Sequence, residues 1–143
     1  MIQGSSSSHS LVCERYLDVL ASVYIYNEHR GYTALDRVLA AVERRCADDQ
    51  AFIAAVRKHR ADEHKHYGMF RRWFERQGRM PLKLDSNVGH IDRFIFNAFG
   101  QDIDTLDTEA ILASDAAFET LLRVIILTEQ RGYRQLEILL GNR

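Results

Sequence analysis

A single proline, Pro81, interrupts 143 residues. Proline ends helices more reliably than any other residue, and the apolar–polar alternation of half-buried strands is missing as well. Such a chain can run in long helices, and three amphipathic segments do so. The first extends from about Leu11 to Cys46, where Leu17, Leu20, Tyr24, Gly31, Leu35, Val38 and Val42 recur mostly at steps of three and four and share one face. The second extends from Asp49, a candidate N-cap, to about Gln77, just before the stop signals Gly78 and Pro81. Phe52, Val56, Tyr67, Phe70 and Phe74 form its apolar stripe. The third, from about Ser114 to Leu140, carries Phe118, Leu121, Leu122, Ile125, Gly132, Leu136 and Leu140. About 35 residues separate the second from the third, and a connection that long lets consecutive helices run parallel. Within it, 90–99 and 107–113 each suit a short helix. The expected fold class is all-α, a helical bundle.

Composition narrows the setting. At 46% hydrophobic and 27% charged residues the chain has a globular balance, not a disordered one. With 19 basic against 20 acidic side chains, no global field draws it to nucleic acid or to an anionic membrane. The basic runs "RKHRADEHKH" (57–66) and "FRRWFERQGR" (70–79) read as solvated helix faces. No apolar run approaches a membrane span, and the opening "MIQGSSSSHS" lacks the features of a secretory signal, so residues 1–10 are expected to be a flexible Ser-rich tail before a helical domain at 11–143. Cys13 and Cys46 lie about 50 Å apart if one helix joins them, too far to pair. A reduced, cytoplasmic protein is the expected setting.

The most specific feature is a repeat. "YNEHRGYTALDRVL" (26–39) and "LTEQRGYRQLEILL" (127–140) align at an offset of 101, with eight identities in sixteen positions over 20–35 and 121–136. Shared Leu, Val and Ile prove little between two amphipathic helices. Glu-x-Arg-Gly-Tyr is harder to dismiss, because glycine within a helix costs about 1 kcal/mol against alanine. A glycine kept beside a glutamate on the inward stripe points to close helix approach or to room for a ligand. Glu28 and Glu129 are those glutamates. On the second segment "DEHKHYGMF" supplies Glu63 and His66, three apart on one helix face, where a carboxylate and an imidazole can grip one ion. Carboxylates with an imidazole suit iron or manganese better than structural zinc.

With these residues in order, the chain resembles the ferritin-like di-iron carboxylate superfamily. That family places one Glu on helix one, Glu-x-x-His on helix two, one Glu on helix three and Glu-x-x-His on helix four. Glu28, Glu63 with His66, and Glu129 match the first three elements. The resemblance implies a ferritin-like four-helix bundle with a long crossover between helices two and three, and a dinuclear iron centre, with manganese as the other metal the donors suit. It implies an oxidase, oxygenase or peroxidase-like oxidoreductase acting on dioxygen or peroxide. Glu63 would bridge the metals, Glu28 and His66 would hold one, and Glu129 the other. Iron storage without an organic substrate, and a metal-free helical interaction module, are the competing readings.

The fourth element is not in the sequence. Advancing Glu63 and His66 by the same 101 residues places the second pair near positions 164 and 167, past Arg143. Three expectations follow: the sequence is part of a longer protein, a second chain donates the helix, as in a homodimer, or the site has been lost. Among the remaining candidates, His59, His64 and His90 read as surface or packing residues, and His29 faces away from the stripe. Tyr24, one turn before Glu28, could hydrogen-bond it. Tyr24, Tyr32, Tyr67 and Tyr133 read as core or boundary residues, and Arg30 and Arg131 as partners for carboxylates. No phosphate-binding glycine loop, Cys-x-x-Cys pair or nucleophile elbow is present.

Overall fold

A computed structural model describes residues 6–85 and 88–141. Within them the regular secondary structure is entirely helical: α1 (Ser6–Arg45), α2 (Gln50–Arg76), α3 (His90–Phe99), α4 (Thr108–Ala113) and α5 (Asp115–Gly141). The long helices fall where the apolar periodicity predicts them. α1 begins five residues earlier than Leu11, because nothing in the serine run breaks a helix. α2 is capped by Asp49, whose carboxylate accepts from the Phe52 N–H at 2.9 Å, and past its end Gly78 takes a left-handed φ of 62°. The two short helices also appear at the predicted positions, α4 capped by Asp107 through the Ala110 N–H.

α1 and α2 form an antiparallel pair, joined by the short turn after Arg45. Their cross-links recede in step: Glu43 with Arg57 and Arg60, Asp36 with Arg60, Glu28 with His66, and Asp18 with Arg79 just beyond α2. α5 starts beside the end of α1, where the Arg45 guanidinium meets Asp115 and lies 4.5 Å from the Phe118 ring centroid. It therefore runs back along α1 and parallel to α2, as the long crossover allows.

Three arginines of α1 hold that crossover down. Arg30, only 14% exposed, forks onto Asp92 of α3 and Asp104 of the following loop. Arg37 donates to the carbonyls of Ile103 and Leu106, and Arg45 to that of Leu112. Spaced seven and eight residues apart, they lie along one side of α1, and Arg37 and Arg45 satisfy backbone oxygens that no helix would satisfy. Tyr26 adds a hydrogen bond to Asp92, and burial followed by the Asp92 charge pushes its hydroxyl up to about 12. The core beneath is made by Leu35, Val38, Leu39 and Val42 of α1, Val56 of α2, Ile91 and Ile95 of α3, Ile103, Leu106, Ile111, and Leu121 and Val124 of α5.

Burial is uneven along the predicted stripes. Leu17 near the start of α1 is 50% exposed and Leu136 near the end of α5 is 48% exposed, whereas Val38 and Val42 are wholly covered. Tyr133 is also on the surface, not in the core or at its boundary. The side chain of Leu140 lies outside the described residues.

Candidate metal centre

The four residues singled out from the sequence come together. Facing one another across α1 and α2, Glu28, Glu63 and His66 bring one ligand atom each to within 4.8 Å of the other two. His66 Nδ1 stands 3.4 Å from Glu28 Oε2. Glu63 also belongs to a second trio, with Glu129 of α5 and with His59, again with all three ligand atoms within 4.8 Å. His59 Nε2 is 3.6 Å from Glu129 Oε1. Glu63 thus sits between two groups of donors.

Gly31 explains how the central carboxylate fits. A Cβ built there would stand 2.0 Å from Glu63 Oε2, so the missing side chain is the space the carboxylate occupies. Any larger residue would move it. The corresponding Gly132 has nothing within 4 Å of its would-be Cβ. One glycine of the repeat makes the close approach that the sequence predicts, and the other faces open space.

Electrostatics mark Glu63 and Glu28 as residues under strain from their neighbours. Burial, then the charges of Glu28, Glu129 and Asp62, push the Glu63 carboxyl up to about 8. Burial also raises Glu28, with His66 pulling the other way and Glu129 adding to the rise. Three carboxylates at this separation need compensating positive charge or protons. Two buried atoms in the group, Glu28 Oε2 and His59 Nε2, have no hydrogen-bond partner among the described residues. One such atom in each trio, together with the Gly31 cradle for the shared Glu63, is a donor set that suits a cation.

Beside these groups opens a cavity of about 500 Å³, walled by Tyr24, Leu35, Met69, Phe70, Ile91 and Leu136, with His90 and Thr128 at its edge. Tyr24 does not hydrogen-bond Glu28: its ring stacks on Phe70, centroids 5.5 Å apart, and its buried hydroxyl has no hydrogen-bond partner among the described residues. His64 and His29 point off the site, packing on Tyr32 and, for His29, also on Tyr67. His90 packs on Phe94 as well as lining the cavity, and burial lowers its pKa, with Arg131 adding to the effect. Arg30 pairs with carboxylates as expected, on α3 and its loop and away from the site.

His59 is the residue that sequence reasoning missed. It precedes Glu63 by four positions, so helical spacing alone puts it on the same face. The Glu-x-x-His motif lies downstream of Glu63, and no motif marks the histidine one turn upstream. No protein-family model matches the chain, and no curated protein or solved structure matches it. Among the described residues, no helix is long and apolar enough to cross a membrane.

Proposed function

We propose that this chain carries a dinuclear iron or manganese centre on a ferritin-like helical scaffold. It would act as an oxidase, oxygenase or peroxidase-like oxidoreductase using dioxygen or peroxide. The observation that carries the reading is the convergence of Glu28, Glu63, His66 and Glu129 from three helices, with Gly31 shaped to the central carboxylate. Glu28 and His66 would hold one ion, Glu129 the other, and Glu63 would be shared. The metal pair would supply the redox chemistry. The chain supplies the rest. Its crowded carboxylates favour divalent cations, and Glu63 must give up a proton to bind one, which makes loading easier as pH rises. The largely apolar cavity, open to solvent along Met69, Tyr133 and Leu136, would hold a small organic substrate against the site.

That cavity favours an enzyme over iron storage, since storage needs no apolar pocket. A storage shell would also need a large assembly, so a monomer or dimer by size exclusion counts against it. One observation supports a different reading. Ile126, Leu127, Leu136 and Ile138 leave part of α5 apolar and exposed, as expected of a metal-free module that takes a partner helix.

The deciding measurement is iron per chain in protein expressed with ample iron and purified without chelator. Close to two irons is the expected result, with Glu63→Ala losing at least one. No iron, together with unchanged thermal stability after chelation, would transfer the assignment to the interaction module.

A further inference from the structure

We propose that His59 is a metal ligand, supplying the second ion with an imidazole from within the same helix that serves the first. This rests on the dinuclear reading above and adds a residue that the family pattern does not contain. In that pattern the second imidazole comes from a Glu-x-x-His on helix four. Here α2 alone presents His59, Glu63 and His66, one turn apart on either side of the central carboxylate.

The geometry is balanced about Glu63. On one side stand Glu28 of α1 and His66, 3.4 Å apart; on the other stand Glu129 of α5 and His59, 3.6 Å apart. Each group offers one carboxylate and one imidazole, and both share Glu63. His59 is the better enclosed of the two histidines, its side chain 25% exposed against 47% for His66. Its Nε2 is buried and has no hydrogen-bond partner among the described residues. The 3.6 Å separation from Glu129 is too long for a good hydrogen bond, and both atoms lie close enough to reach one ion. Without a metal, this nitrogen can meet the carboxylates only as a long ion pair with Glu129, at a separation that one bridging ion would shorten on both sides.

Anaerobic titration with cobalt(II), followed by its visible absorption, separates the possibilities. The unsubstituted protein is expected to take two equivalents. His59→Gln should bind the second more than about 100-fold more weakly, since even outer-sphere partners of a metal ligand are worth 10–100-fold. His66→Gln should lose the other equivalent, and His64→Gln, altered one position from Glu63 but off the site, should keep both. In NMR of the cobalt protein, His59→Gln should remove one of two shifted, exchangeable imidazole N–H signals. Two equivalents of unchanged affinity in His59→Gln would overturn this assignment and leave the dinuclear reading standing. One equivalent in both proteins would overturn it together with the dinuclear reading, leaving a single ion on Glu28, Glu63 and His66. No cobalt bound by the unsubstituted protein would overturn the dinuclear reading itself.

Discussion

The two copies of Glu-x-Arg-Gly-Tyr begin from nearly the same residues and end in opposite environments. In the first, Leu35 is 2% exposed, Ile25 is 7% exposed, and Gly31 lies against the Glu63 carboxylate. In the second, the matching Leu136 and Ile126 are 48% and 54% exposed, and a Cβ at Gly132 would meet nothing within 4 Å among the described residues. Arg30 is locked between two aspartates, while Arg131 is exposed. The relation reverses one turn upstream: Leu121 and Val124 are buried, and their counterparts Leu20 and Val23 are only partly covered. What differs is the neighbour. α2 lies along the first copy and seats Glu63 against Gly31; it also brings Glu63 and His59 to Glu129, but among the described residues no helix covers Ile126, Leu136 or Ile138. An apolar stripe states which face wants covering, and only the rest of the fold decides whether it is covered.

The largest test of this asymmetry is a pair of truncations. Leu35→Ala should cost about 2–5 kcal/mol, the usual range for emptying a packed leucine site. Leu136→Ala should stay within about 0.5 kcal/mol, as for other surface positions. Denaturant unfolding of both variants at low protein concentration measures the difference. Equal losses would show that the second copy is covered in solution, and a loss for Leu136→Ala that grows with concentration would identify a second chain as the cover.

A test of intermediate size uses pH. The Glu63 carboxyl, pushed up to about 8 by burial and neighbouring charge, binds its proton more tightly folded than unfolded. Its favourable contribution is therefore complete below the unfolded pKa of about 4.3 and is lost as pH rises through about 8. The metal-free protein should lose several degrees of Tm between about pH 5 and pH 8, and Glu63→Gln should flatten that slope. Glu129→Gln should reduce it only in part, since Glu129 raises Glu63 less than burial and Glu28 do. Saturating metal should abolish the decline, because an ion replaces the proton as the compensating charge. A profile that is flat without metal would mean that Glu63 is better hydrated than its position against Gly31 indicates.

Much of this was legible in the sequence, for identifiable reasons. Helices α1, α2 and α5 follow from long-range periodicity, and Asp49 and Gly78 mark the boundaries of α2 because caps and left-handed turns depend on local chemistry. Glu28, Glu63, His66 and Glu129 could be picked out because a glutamate on an apolar stripe conflicts with its surroundings. His59 conflicts less: a histidine is tolerated at a helix boundary, so its place opposite Glu129 depends on how α5 crosses α2, which no local pattern encodes. The arginine clamps were hidden for the same reason. Arg37 bonds backbone carbonyls of a distant loop and Arg45 one in the last turn of α4, and carbonyls have no signature in sequence. Tyr24 shows the converse, a spacing that suggested a hydrogen bond to Glu28 where stacking on Phe70 turned the ring elsewhere.

The smallest effect gives the sharpest comparison, because the same substitution is made twice. Replacing a helical glycine by alanine should add about 0.5–1 kcal/mol of stability wherever there is room for the methyl group. Gly132→Ala has that room and should gain it. Gly31→Ala does not: its new Cβ would fall 2.0 Å from Glu63 Oε2. The atom it meets is the end of a flexible side chain, so the carboxylate can swing aside without disturbing the backbone. The helical gain and the displaced carboxylate should then nearly cancel in stability. Metal binding cannot compensate in that way, because the displaced group is the one both trios share. Gly31→Ala should therefore bind metal more weakly at almost unchanged stability, and Gly132→Ala should be more stable with binding unaltered. If Gly132→Ala instead lost stability or metal, something would have to pack on the second copy as α2 packs on the first.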